Sequence, residues 1–135
     1  VPWKAWSGED VGPATLIAVV DDDMSLREAL AGLLGAYGYR IDAYASGHDL
    51  LASPKLGRYA LFILDVQMPG IHGLELQVEI VETGVTAPII FLTSAQDPDI
   101  RRRALAMGAH AFLGKPFQGV ELLAQLDGAL GAAGV

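Results

Sequence analysis

Six residues of this chain could do chemistry together: the consecutive aspartates Asp21, Asp22 and Asp23, the separate Asp65, and Thr93 and Lys115. Adjacent carboxylates repel one another, and taking them out of water costs more. The triplet directly follows Leu16-Ile17-Ala18-Val19-Val20, a run with the length and β-branched content of a buried strand. The end of a core strand is a poor place for such a cluster unless something compensates. A hard divalent cation would do so, because Mg²⁺ takes one or two carboxylates, keeps several waters and carries phosphate oxygens. A solvated acidic turn that begins the next helix accounts for the triplet equally well. On these residues alone both explanations stand.

The elements that must position them follow from periodicity. After the first strand, Ser25 and Glu28 fit a capping box before Leu26, Ala29, Leu30, Leu33 and Leu34, which predicts an amphipathic helix near 25–37 with Gly38 at its C′ position. Residues 39–45 read as a strand, and Ser46 begins a short helix towards Ser53-Pro54. Residues 59–64 form a second buried apolar run that ends in a carboxylate, Asp65, and residues 87–92 a third that ends at Thr93. Asp97-Pro98 is a helix start running to about Met107. Residues 109–113 are a final short strand leading to Lys115-Pro116, and residues 118–131 a helix with Val120, Leu123, Leu126 and Leu130 on one stripe.

One segment resists. Leu74-Glu75-Leu76-Gln77-Val78-Glu79-Ile80 alternates with period two, which locally favours a strand. Its neighbours look like strands of a parallel sheet, however, and parallel strands need a crossover, usually a helix. Residues 73–83 are therefore predicted helical, with Gly84 ending the helix. The sum is an α/β chain: one doubly wound five-stranded parallel sheet, flavodoxin-like in its order 2-1-3-4-5, with helices on both faces. Ligands of such folds gather at the carboxyl ends of the strands. Asp21 and Asp22, Asp65, Thr93 and Lys115 come from four predicted strand ends and would converge on one rim.

Composition narrows what that rim can do. A length of 135 residues suits one domain with a proper core, and 52% hydrophobic against 19% charged residues argues against disorder. No apolar stretch approaches the ~20 residues needed to span a bilayer, and no secretory signal pattern opens the chain, so a cytoplasmic protein with no membrane partner is expected. The absence of cysteine removes disulfides, thiolate metal sites and thiol nucleophiles. With nine Lys and Arg and a net charge of −7, direct binding to nucleic acid is not expected. Carboxylates, a metal, a lysine and a hydroxyl suit phosphoryl transfer, which needs positioning and charge neutralisation. A carboxylate can itself be the nucleophile, giving an aspartyl phosphate. No GxxxxGK[ST] loop and no GxGxxG fingerprint is present, so the phosphoryl group must come from elsewhere than a bound nucleotide.

Four motifs, Val19-Val20-Asp21-Asp22-Asp23, Leu64-Asp65-Val66-Gln67-Met68-Pro69-Gly70, Leu92-Thr93-Ser94-Ala95 and Phe112-Leu113-Gly114-Lys115-Pro116-Phe117, occur in this order. The chain so resembles the receiver domain of two-component response regulators over about residues 15–131, and its wording is most similar to the FixJ-like branch. The resemblance implies that Asp65 accepts a phosphoryl group from the phosphohistidine of a sensor histidine kinase. It implies that Asp22 ligates Mg²⁺ directly, Asp21 partly through water, and Asp65 and the backbone carbonyl of Gln67 complete the set. Lys115 would pair with the carboxylate and then the phosphoryl group, with a cis peptide bond to Pro116. Thr93 would swing to the new phosphoryl oxygens, and Phe112, the aromatic switch, would turn inward behind it. The face of the fourth helix, fifth strand and fifth helix would then change shape, control an output partner or domain such as a DNA-binding one, and offer a surface for a homodimer.

The third aspartate makes the register of the acidic pair a choice, made here for Asp21 and Asp22 because Asp23 falls one residue late and suits the loop before Ser25. An aspartate-nucleophile phosphatase is the rival from another class; such enzymes usually place an acid/base aspartate two residues after the nucleophile, where Gln67 stands. A degenerate receiver is disfavoured, since every expected rim residue is present. His48, His72 and His110 lack ligand spacing and read as loop or surface residues, His72 beside the rim. Arg101-Arg102-Arg103 reads as a solvated helix face. Residues 1–14 read as an extension or linker, with Trp3 and Trp6 as tail residues, residues 132–135 as a tail, and the missing initiator Met as a sign of excision from a longer chain.

Overall fold

A computed structural model describes residues 15–94 and 97–134, the side chains of 132–134 excepted. The predicted extension at 1–14, with Trp3 and Trp6, lies outside the described residues. Five strands, β1 (Leu16–Val20), β2 (Arg40–Tyr44), β3 (Leu61–Leu64), β4 (Ile89–Thr93) and β5 (Ala111–Gly114), form one sheet in the order β2-β1-β3-β4-β5, every pairing parallel. The helices are α1 (Met24–Gly35), α2 (Gly47–Leu51), α3 (Gly73–Glu82), α4 (Pro98–Ala106) and α5 (Gly119–Gly134), with a 3₁₀ turn at Leu56–Arg58. Class, strand order and two-sided covering are those predicted. No helix of the described residues is long and apolar enough to cross a membrane.

The central strands β1, β3 and β4 are apolar at every position but Thr93, because both faces are covered. Ala18, Val20, Phe62, Leu64 and Phe91 face one layer with Leu50, Leu76, Ile80 and Ala104; Ile17, Val19, Leu61, Ile63 and Ile90 face the other with Leu30, Leu34, Leu122 and Leu126. At about 25 cal/mol per Å² of apolar area, sealing both faces is the main favourable term and pins the register. That register brings Val20 level with Leu64 and Tyr44, so the residues just past β1 and β3 emerge side by side.

Several local expectations are corrected. The N-cap of α1 is Asp23: its backbone is extended and its carboxylate accepts from the N–H groups of Ser25 at 2.9 Å and Leu26 at 3.4 Å. The Ser25–Glu28 capping box does not form, because Ser25 already lies in the helix's first turn. In α5 the buried positions are Leu122, Leu126 and Ala129, while Val120 is 73% exposed, so the predicted stripe is out of phase, and the helix runs on past 131 to Gly134. The strands predicted to start at 59, 87 and 109 start two residues later, with Tyr59 and Ala109 buried beside the sheet. The segment with period-two alternation is helical, as the crossover argument required.

Candidate functional site

Asp21 follows directly on β1, its N–H donating to the Tyr44 carbonyl at 3.1 Å. Its side chain is almost wholly buried: Oδ1 accepts from the N–H of Asp23 at 2.9 Å, and Oδ2 accepts from Lys115 Nζ at 2.7 Å. Asp65 follows on β3, its N–H donating to the Val20 carbonyl at 3.0 Å, and its Oδ2 lies 3.4 Å from the same Nζ. Lys115 arrives from the other side of the sheet through the predicted cis peptide bond to Pro116, its N–H donating to the Thr93 carbonyl at 2.8 Å. One ammonium thus bridges carboxylates carried by β1 and β3. Asp22 is exposed, and a carboxylate oxygen of Asp21, Asp22 and Asp65 can each lie within 4.8 Å of the others.

Two buried acids facing one lysine leave a net negative pocket. Burial first, and then the Asp21 carboxylate, push the Asp65 carboxyl above its ordinary value; Lys115 and the backbone N–H of Gln67, which donates to it, pull the other way. Burial works to strip Lys115 of its proton, but the hydrogen bond and charge of Asp21, then those of Asp65, outweigh it and hold the ammonium above its ordinary value. All donors of the three-carboxylate cluster are hard oxygens, and one acid is open to water. This suits a small hard cation that keeps part of its hydration shell.

The remaining predicted residues fall around this cluster. Thr93, fully buried, ends β4, and Ser94 after it is exposed. Gln67 has an exposed side chain, and its main chain touches the site through the N–H. Phe112 in β5 is already buried, 7% exposed, with its ring centroid 5.9 Å from that of Phe91. His72 is the N-cap of α3, with Nδ1 accepting from the Leu74 N–H at 3.2 Å. Arg101, Arg102 and Arg103 are exposed, as predicted, and Arg102 pairs with Asp99.

Three supporting groups were not foreseen. Arg27, one turn into α1, donates from Nη1 to the Asp21 carbonyl at 2.8 Å and fixes the chain where the acidic run leaves the strand. Asp23 caps the helix behind that run. Gly73 sets α3 against Asp65: its N–H donates to the Val66 carbonyl at 2.8 Å, and a Cβ there would stand 2.4 Å from the Asp65 carbonyl oxygen. A glycine opening an amphipathic segment was the available signal for this close approach. A cavity of about 420 Å³ lined by Asp23, Leu26, Ser94, Lys115, Pro116 and Phe117 adjoins the site. A larger one of about 720 Å³, lined in part by Thr15, Ala60 and Pro88, opens at the opposite end of the sheet, away from the carboxylates.

Comparison with known proteins gives the same outline. A family model described as the response regulator receiver domain matches residues 17–127. Nodulation protein W of Bradyrhizobium diazoefficiens is 34% identical over 122 residues, covering 90% of this chain and 54% of that protein. Transcriptional regulatory protein TdiR of Thauera aromatica is 34% identical over 119 residues, covering 88% and 52%. Among solved structures, the Vibrio cholerae chemotaxis protein CheY4 superposes with a TM-score of 0.81 at 30% identity, over 87% of this chain and all of that one. The chain spans about half the length of the curated relatives it matches.

Proposed function

The chain belongs to the response regulator receiver domains of two-component signalling, and from that premise we propose that Asp65 is its phospho-acceptor. The observation that carries the reading is the bridge of Lys115 Nζ to Asp21 at 2.7 Å and Asp65 at 3.4 Å, with Asp22 at the open side of the same cluster. A carboxylate oxygen of Asp65 attacks the phosphorus of a kinase phosphohistidine. The N–P bond breaks, its electron pair returns to the imidazole, and that nitrogen takes a proton from solvent. Lys115 stays charged throughout and follows the developing charge from the carboxylate to the phosphoryl oxygens. Held by Asp21, Asp22, Asp65 and the Gln67 carbonyl, Mg²⁺ would supply the remaining neutralisation of the phosphoryl oxygens. Return to the resting state is attack of water on the same phosphorus, releasing phosphate and the free carboxylate.

Thr93 at the end of β4 is the group we assign to the loaded oxygens. Its movement would bias α4, β5 and α5, the face we assign to output control. The similarity to TdiR, named a transcriptional regulatory protein, supports control of transcription as that output. Met107 on the α4 side and Val120 in α5 are large apolar residues exposed near that face, which supports pairing of two copies there.

The test is incubation with a small phosphodonor and Mg²⁺. One phosphoryl group should appear per chain, and none in Asp65→Asn. Label surviving in Asp65→Asn would overturn the assignment, and turnover of many donor molecules per second would favour a phosphatase instead.

A further inference from the structure

Gln77 lies in the middle of α3 and is fully buried. Its Nε2 donates to the Ala104 carbonyl at 3.1 Å, across the seam between α3 and α4. Its Oε1 is buried as well and, among the described residues, has no hydrogen-bond partner. As a filler this is a poor choice, since an apolar side chain of similar shape would pack there without stranding an acceptor. The donated bond nonetheless fixes the amide, because turning it over would set Oε1 against the Ala104 oxygen.

Ala104 is the buried anchor of α4, while Arg101, Arg102 and Arg103 before it are exposed. Its carbonyl also accepts from the Ala109 N–H at 3.0 Å, in the turn that leads from α4 into β5. Gln77 therefore grips α4 where that helix hands over to the strand of Phe112. At its other end α3 is seated on the acceptor through Gly73, four residues and about one turn before Gln77 on the same helix face.

We infer that Gln77 is a positioning residue: its buried amide couples the Asp65 end of the fold to α4 through α3, and sets how readily α4 leaves its resting position when Asp65 is loaded. This rests on the phospho-acceptor reading of Asp65, and it runs separately from Thr93 and Phe112. The donated bond ties α4 to α3 at the turn into β5, so a shift of either helix is felt by the other.

The probe is BeF₃⁻ with Mg²⁺, a mimic of the phosphoryl group, read by NMR and amide hydrogen exchange on the whole chain. In the wild type, its addition should move the Gln77 side-chain amide resonance and change exchange at Met107, Gly108 and Ala109. In Gln77→Met those three amides should exchange roughly tenfold faster before any BeF₃⁻ is added. The apparent affinity for BeF₃⁻ should shift by about threefold or more, as for residues that carry coupling. A residue that only fills space would change the melting temperature and leave the affinity alone; that result overturns the inference. So does a Gln77 resonance that stays put while BeF₃⁻ binds, a measurement on the wild type that decides the matter even if the variant does not fold. A wild-type chain that neither binds BeF₃⁻ nor is labelled at Asp65 would overturn the phospho-acceptor reading itself, and the inference with it.

Discussion

Gly73→Ala adds a single methyl group where α3 comes closest to the backbone of Asp65. The new Cβ would lie 2.4 Å from the carbonyl oxygen of Asp65 and 2.7 Å from Cα of Val66, and both are backbone atoms that cannot rotate away. Ordinary contact begins at 3.4 Å, so α3 or the end of β3 must retreat by about 1 Å. Overpacking of this kind costs about 1–3 kcal/mol. Alanine returns at most about 1 kcal/mol through its better helix propensity, which leaves a modest net loss and a folded protein. The larger effect falls on rate: a displacement of ~1 Å at a reacting group can cost about 10²-fold. Urea unfolding should therefore show a small drop in stability, and labelling by a small phosphodonor should slow about a hundredfold.

Two other glycines calibrate the result. Gly32→Ala, in α1 with nothing within 4 Å of its added methyl, should gain about 0.4–1 kcal/mol and be labelled at the wild-type rate. Gly47→Ala would put its Cβ 2.3 Å from Cγ2 of Ile71, but that is a side chain able to move, so the defect should be milder than at Gly73. A Gly73→Ala protein labelled at the wild-type rate would refute the claim that α3 is seated directly on the acceptor.

Further outcomes follow from the same geometry. Asp65→Asn should abolish labelling yet, in the presence of a chelator, raise the melting temperature by about 2–6 °C, because it removes a carboxylate that burial and Asp21 both oppose; calorimetry checks it. Adding Mg²⁺ should then raise the wild-type melting temperature more than that of Asp65→Asn or Asp22→Asn, since at a given concentration a ligand bound more tightly by the folded state stabilises it more. Asp23→Ala should cost about 0.5–2 kcal/mol in urea unfolding through loss of the α1 cap, with labelling intact, which separates the third aspartate from the other two. Tyr59, whose hydroxyl donates to Asp42 at 2.8 Å, is held above its usual value of 10.0 by burial first and then by its bonds to Tyr44 and Asp42. The folded chain so keeps a proton that the unfolded chain gives up, and stability should fall as pH rises past about 10; the fall should be shallower in Tyr59→Phe.

The rim was legible in the sequence because two independent patterns meet there. Apolar runs mark buried strands, and the polar residues that end those runs, Asp21, Asp65 and Thr93, are themselves buried at one rim. Boundaries were less legible, for a physical reason. Tyr59 is apolar enough to extend a run and is indeed buried, but among the described residues it pairs with no neighbouring strand: its hydroxyl bonds to Asp42 and its ring meets that of Tyr44 edge-on, centroids 6.3 Å apart. In α5 apolar residues lie on more than one stripe, and periodicity fixes spacing without fixing phase. The sheet chose Leu122, Leu126 and Ala129 and left Val120 in water. Asp23, one residue late for the strand tip, does lie in the loop before the helix; the sequence did not show that its carboxylate caps α1 through the N–H groups of Ser25 and Leu26.

The segment that misled most locally is also the one that carries the coupling, and both facts have the same cause. The inward face of α3 is Gly73, Leu76, Gln77 and Ile80, a regular helical stripe with Leu74 at its edge. Two of those four residues are not hydrophobic. With Gly73 and Gln77 removed from the count, what remains is Leu74, Leu76, Val78 and Ile80, which reads as a strand. Had the stripe been completed with leucines, the helix would have been obvious from periodicity. Position 73 must be small because an added Cβ would stand 2.4 Å from the Asp65 carbonyl oxygen, and position 77 carries an amide that reaches the Ala104 carbonyl on α4. Each departure from the apolar pattern thus stands where α3 touches another working part, the acceptor at one end and α4 in the middle. A strand-like alternation in a segment that topology requires to be helical is, in this fold, a reason to ask what the buried polar position is holding.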